Sequence, residues 1–216
     1  FRSEDSSRIF VIGSPDIDAM MKESDLSIEQ VKKRYDIGFN DFAIALFHPV
    51  TTEVDKMKQH AAIFVKALIE SNQNYIVIYP NNDLGQSYIF DAYEQIKDLP
   101  RFKLFPSIRF EYFVELLKNA NFIIGNSSVG IHEAPVLGKP SINIGTRQNE
   151  RFKYDTILDV NYNVNEIVSA IDKLSGMSYF PSTNYFGNGN SAENFLTILK
   201  GEEVWSTKTQ KRFIDI

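Results

Sequence analysis

The sequence predicts an α/β protein built on one doubly wound parallel sheet. Two patterns predict it. Short, continuously apolar runs rich in Ile, Val and Phe recur along the chain, as strands covered on both faces require. Segments of helical pattern separate them, and that alternation marks parallel β-α-β units. The composition agrees, because 43% of the 216 residues are hydrophobic and 17 are Phe, enough for a sizeable core.

The predicted strands are Arg8–Ile12, Asp41–Phe47, Tyr75–Tyr79, Phe102–Phe105, Phe122–Ile124, Ser141–Ile144 and Thr156–Val160. Between them, Ser27 starts a helix with Glu29 and Gln30 in its first turn, and Thr52 caps a long one running to about Ser71. Helices over Leu84–Lys97 and Phe110–Lys118 follow. Another is expected from near Ser128 to Gly138, where a glycine just past the helix is followed by Pro140. Asn163–Ser175 and Ser191–Lys200 complete the set, with Met177–Asn190 as a crossing loop. The length suits one large domain. Residues 1–7 read as a junction, 8–200 as the domain, and 201–216 as a tail ordered only by contact with something else.

Composition excludes several classes. Lys and Arg total 23 against 28 Asp and Glu, a net charge of −5 with no cationic block, which argues against a nucleic-acid partner. Without Cys there is no disulfide scaffold, thiolate zinc site or cysteine nucleophile in this chain. Three His (His48, His60, His132) are too few for most imidazole metal sites, so no metal is expected. The longest apolar runs, such as Phe42–Phe47, fall far short of the ~18 residues of a membrane span. No charged-then-apolar leader is visible at the start, so a soluble, cytoplasmic protein is expected; opening at Phe1 instead of Met, the chain reads as a fragment.

Several motifs fail on inspection. Gly187–Ala192 fits a loose G-x-G-x-x-A but follows a polar loop instead of a strand. Gly138-Lys139-Pro140-Ser141 imitates the end of a P-loop, yet Glu133 stands where the first glycine belongs and Pro140 removes an amide donor. His132-Glu133 opens an H-E-x-x-H that Val136 does not close, and Gly125–Val129 lacks the second glycine of a nucleophile elbow.

In a doubly wound sheet, ligands bind beyond the carboxyl ends of the strands, near the point where strand order reverses. Polar residues gather at those ends. They are His48–Thr52, Pro80–Asp83, Pro106-Ser107, Gly125–Ser128 and Gly145–Gln148. The run Gly125-Asn126-Ser127-Ser128-Val129-Gly130 sits between a strand and a helix, where open N–H groups and two hydroxyls suit a phosphate. Glu133, just over one turn further, could accept from the two vicinal hydroxyls of a ribose. The plainer reading is that Ser127 and Ser128 cap the helix and Glu133 completes its first turn. Arg147 could grip a diphosphate with two hydrogen bonds, or be a solvated surface arginine. His48, ahead of Pro49, stands at a sheet tip; it is either a satisfied structural histidine or a donor of a proton or charged hydrogen bond near neutral pH. Asn81, after Tyr79-Pro80, is either a turn former or a further polar group of the same set.

The run Gly125–Glu133, followed by Ile142-Asn143-Ile144-Gly145-Thr146-Arg147-Gln148, resembles the UDP-N-acetylglucosamine 2-epimerase family, and its hydrolysing branch in particular. Phe47–Thr52, Tyr79–Asp83, Ile12–Asp16 and Tyr185–Asn190 match in order and approximate spacing, so the resemblance covers nearly the whole chain. It implies a Rossmann-like domain, the C-terminal half of a two-domain fold of the GT-B type. By carry-over, Ser127, Ser128, Arg147 and His48 hold the diphosphate of UDP, Glu133 holds the ribose hydroxyls, and Asn81 lies in the same cleft. The resemblance also makes His48 the expected catalytic contribution of this half, helping UDP depart.

The resemblance implies no cofactor, and UDP and a UDP-sugar as ligands. It implies an N-terminal catalytic half as partner, and a dimer, as is common in the family. The departures from the family pattern are the absent N-terminal domain, with the acidic residues that move the C2 proton, a shorter join between Phe1–Glu4 and Asp5-Ser6-Ser7, and Asn188 where Asp is common. The implied reaction converts UDP-N-acetylglucosamine to N-acetylmannosamine and UDP, for sialic acid-type sugars. Hydrolysing epimerisation of UDP-N,N'-diacetylbacillosamine, non-hydrolysing epimerisation, glycosyl transfer, and non-catalytic UDP binding are the alternatives.

Overall fold

The structure, a computed structural model, describes residues 5–175, 177 and 180–210. Parts of the expected junction, crossing loop and tail therefore lie outside the described residues. The chain divides at Ser24/Asp25 and again at Thr183/Asn184 into two compact units, the larger being the internal segment.

The smaller unit begins with a 3-10 turn at Ser6–Arg8 and helix α1 (Pro15–Met21), entered through Ser14 with a proline in its first turn. The strand expected over Arg8–Ile12 does not form; Ile9 is extended, but the run joins no ladder among the described residues. An apolar, β-branched run becomes a strand only where a neighbour completes its hydrogen bonds.

The larger unit follows the predicted rhythm. Helix α2 (Ile28–Tyr35) opens with a capping box, in which Ser27 N donates to the Gln30 side chain and Gln30 N to Ser27 Oγ. Strand β1 (Ala43–Leu46) leads through a 3-10 turn into α3 (Met57–Glu70), then β2 (Tyr75–Ile78), α4 (Gln86–Tyr93), β3 (Phe102–Phe105) and α5 (Phe110–Asn119). Strand β4 (Ile123–Gly125) runs into a 3-10 turn at Ser128–Gly130 and the four-residue α6 (Glu133–Val136). Strands β5 (Ser141–Ile144) and β6 (Ile157–Val160) precede α7 (Val164–Ser175). In the smaller unit, α8 (Ser191–Lys200) and α9 (Glu203–Ser206) close the described chain.

Two helical expectations are corrected. Thr52 does not cap the long helix, because the chain makes a turn and a 3-10 segment before α3 begins at Met57. The helix expected from Ser128 to Gly138 is broken into the 3-10 turn and α6, which carries Pro135 inside it. Gly138 does take the left-handed conformation expected of a terminating glycine, with φ +65°.

All six strands are parallel, in the order β3-β2-β1-β4-β5-β6. This is the doubly wound arrangement, and its order reverses between β1 and β4. Both faces are covered, which is why the strands read as unbroken apolar runs. Ala43, Ala45 and Phe47 belong to a core shared with α3, α4 and α7. Ile44 and Leu46, also buried, lie outside that core, as the two-residue repeat of a strand requires. Helices α2 and α5 pack together. Among the described residues no helix is long and apolar enough to cross a membrane.

The end of α8 that carried the loose glycine pattern is already occupied. The Asp18 carboxylate of α1 accepts from Ser191 N (3.0 Å), Ser191 Oγ (2.7 Å) and Ala192 N (3.1 Å). Those bonds from Ser191 hold its carboxyl below the usual carboxylate range. An internal anion thus takes the position a pyrophosphate would need, and the glycines at 187 and 189 serve turns with positive φ.

Candidate functional site

The switch between β1 and β4 brings His48 and Asn126 together. β1 ends at Leu46 opposite Gly125 of β4, so the residues that follow emerge side by side. Gly125 has φ +138°, and a Cβ there would lie 1.9 Å from the Leu46 carbonyl oxygen. Only glycine lets β4 turn out of the sheet at that distance.

Asn126 is fully buried, and both its side-chain amide and its backbone carbonyl are engaged. Its Oδ1 accepts from His48 N (2.7 Å) and its Nδ2 donates to the His48 carbonyl (2.8 Å). Its own carbonyl accepts from Arg147 Nη1 (3.0 Å) and from Gln148 Nε2 (2.9 Å). Arg147 is thus no free surface arginine. The loop after β5 is tied to the turn after β4, and the guanidinium is anchored beside Ser127 and Ser128.

The His48 ring is fixed from the other side. Its Nδ1 accepts the backbone N–H of Asn81 at 3.2 Å, so the proton of the neutral ring sits on Nε2. Burial, then the Arg147 charge, pushes the imidazole down to about 4, against a weaker opposing pull from Asp83. His48 is therefore neutral at pH 7 in this arrangement. Without a ligand, His48 thus offers a neutral Nε2–H donor. The Asn81 side chain engages Asp83 Oδ2 at 2.6 Å, forming the local turn, while its backbone amide serves the histidine.

Stability should report this. Between pH 6.5 and 4 the unfolded chain takes up a proton at His48 that the folded site refuses, so stability falls as pH drops through that window. His48→Gln should flatten the decline. Urea midpoints at pH 7 and pH 5 for both proteins would show it, and identical pH dependences would mean that His48 is not held neutral.

Ser127 and Ser128 lie in the tight turn after β4. Among the described residues no acceptor takes the N–H of either, while Ser127 Oγ receives Val129 N at 3.4 Å. Because the segment beyond is a single 3-10 turn, the anion-binding capacity here rests on individual amides and hydroxyls, and little on a helix dipole. Glu133 opens α6, with Oε2 shielded from solvent.

Behind Arg147 lies a set of groups that the sequence reading passed over. Thr146 Oγ1 donates to Glu53 Oε1, and Glu53 Oε2 lies 3.6 Å from His60 Nδ1. The His60 ring stacks on Tyr162, with centroids 3.5 Å apart and planes 6° from parallel. Burial, and then the Glu53 charge, pushes the Tyr162 phenol up to about 12. Gly145, with φ +73°, leaves room for that ring, since a Cβ there would fall 2.4 Å from it. Burial, followed by Arg151, lowers Arg147 from its ordinary value, and Asp83 and Tyr162 oppose this. Tyr162 follows β6 as His48 follows β1, so a search extended to the sixth strand end would have found it. Gln148 stood in the polar tip after β5, without a reason to prefer it.

A doubly wound sheet with an arginine, a neutral histidine and open serine amides gathered at its switch point defines an α/β domain of the Rossmann-like class. The chain belongs to the UDP-N-acetylglucosamine 2-epimerase family, whose profile matches residues 2–200. It is 43% identical over 216 residues to the UDP-N-acetylglucosamine 2-epimerase of Neisseria meningitidis, covering 99% of this chain and 57% of that protein. It is 28% identical over 200 residues to the hydrolysing UDP-N,N'-diacetylbacillosamine 2-epimerase of Legionella pneumophila, covering 91% of this chain and 52% of that protein. The chain therefore spans little more than half the length of these curated relatives. Among solved structures, the Neisseria meningitidis UDP-GlcNAc 2-epimerase bound to UDP-GlcNAc is similar in fold, with a TM-score of 0.68 at 21% identity, covering 91% of this chain and 57% of that one.

Proposed function

We propose that this chain is the UDP-binding half of a cytoplasmic hydrolysing UDP-N-acetylglucosamine 2-epimerase, which releases N-acetylmannosamine and UDP. The observation that carries the reading is the convergence of Arg147 and His48 on Asn126, next to the open amides of Ser127 and Ser128 at the switch point. In this reading the diphosphate lies across Ser127, Ser128, Arg147 and His48 Nε2–H. Glu133 accepts from the ribose hydroxyls, and Asn81 borders the same cleft.

The chemistry follows from that placement. A carboxylate from the half beyond this chain removes the C2 proton of the sugar, the C1–O bond breaks, and UDP leaves with the bonding electrons. Water then adds to the resulting glycal, giving inverted C2. The C2 proton is weakly acidic, so the site must stabilise charge on the departing diphosphate. Arg147 supplies a cation and two or more N–H donors, the serine amides supply neutral dipoles, and His48 supplies one further donor through Nε2–H.

Calorimetry tests the binding half of this proposal. UDP should bind, and Ser128→Ala, which removes the hydroxyl and keeps the amide, should weaken that binding modestly; no heat of UDP binding to the wild-type protein would refute it. Product analysis of the whole protein tests the other half, because free N-acetylmannosamine and UDP-N-acetylmannosamine distinguish hydrolysis from simple epimerisation. The likeness to the Legionella enzyme favours a second substrate, UDP-N,N'-diacetylbacillosamine, which the same assay would reveal.

A further inference from the structure

In a parallel ladder every second residue bonds to a given neighbour strand, donating N–H to the residue before its partner and accepting at C=O from the residue after it. Asn126 stands opposite Phe47 by continuation of the register of Leu46 with Gly125. It keeps the first bond, donating N–H to the Leu46 carbonyl at 3.0 Å. The second bond is replaced. His48 N donates to the Asn126 side-chain oxygen, and the side-chain amide returns a bond to the His48 carbonyl. The backbone carbonyl that the ladder would have used accepts from Arg147 and Gln148 instead.

We infer that Asn126 is the positioning residue of the site: its side chain stands in for its own backbone carbonyl, fixing His48 and releasing that carbonyl to hold Arg147. The exchange requires a side chain that accepts and donates at once, and that reaches the next strand. Aspartate lacks the donor and serine lacks the reach. Complete burial keeps water from competing for these bonds. One residue thus sets the spacing between the two groups that face an anion. The charged neighbours of the imidazole are Arg147 and Asp83, and neither replaces the clamp on its backbone. The meaning of that spacing rests on the proposed diphosphate site; the clamp itself does not.

The test has two readouts on the intact protein. Nitrogen NMR of 15N-histidine protein, with His48 assigned by its loss in His48→Gln, should show the Nε2–H tautomer in the wild type and a mixture of tautomers in Asn126→Ala. UDP affinity should fall about tenfold in that variant, as for loss of one charge-assisted contact, while uridine affinity holds. If Asn126→Ala does not fold, Asn126→Asp, of the same shape but without the donor, should show the same loosening of the His48 signature. An unchanged signature in the folded variant, or equal weakening of UDP and uridine, overturns the inference. A wild-type protein that binds neither ligand refutes the proposed function instead, and the tautomer readout then decides the role of Asn126 alone.

Discussion

Arg147→Ala should weaken UDP binding roughly ten- to a hundredfold and leave uridine binding almost unchanged. Hydrogen bonds to charged groups contribute about 1.5–3 kcal/mol each, and about 1.4 kcal/mol is a factor of ten. The anchored guanidinium holds the Asn126 carbonyl through Nη1, leaving its other N–H groups for a ligand. Uridine has no diphosphate and should not register the loss. Arg147→Lys should recover only part of the affinity, because an ammonium cannot hold the carbonyl and present a planar fork together. Calorimetry with both ligands decides the matter; equal losses for UDP and uridine would remove Arg147 from the diphosphate.

Gly125→Ala should cost about 4 kcal/mol or more, at the extreme of single substitutions. The added methyl would meet the Leu46 carbonyl at 1.9 Å, backbone against backbone, in a conformation that L residues rarely adopt. Relief would require β1 and β4 to part at the point where the site is built. Gly38→Ala provides the control, since nothing lies within 4 Å of its Cβ position and its φ is ordinary; it should be neutral or slightly stabilising. Urea midpoints would compare the two directly. A Gly125→Ala protein as stable as Gly38→Ala would mean that the turn can be rebuilt cheaply.

Much of the sheet was legible because burial on both faces leaves a strong compositional trace. Phe102–Phe105 and Ser141–Ile144 match to the residue, three other expected strands are slightly too long, and Phe122–Ile124 is shifted by one residue from the observed Ile123–Gly125. The capping box at Ser27 was legible because its chemistry is local. Arg8–Ile12 misled because pairing is not local: the run has strand composition but no neighbour strand among the described residues. Thr52 misled because many residues that can cap a helix also make turns. The segment after Ser127 misled because a terminating glycine and a following proline mark where a helix ends and not how long it is; here the helix is four residues and contains Pro135.

At the site, His48 and Arg147 stand out as charged or titratable residues at strand ends. Asn126 does not, because its part depends on substituting for a backbone group, which no sequence pattern announces. The His60–Tyr162 stack was equally hidden, since it joins α3 to the end of β6 through space.

The tether between Arg147 and the Asn126 carbonyl also bears on the cost of association. A solvated arginine that grips a ligand must give up rotamer freedom of about 2 kcal/mol at the moment of capture. Here much of that ordering is settled when the chain folds, so the encounter meets a limb already in place. Preorganisation of this kind should show itself in slow release more than in fast arrival.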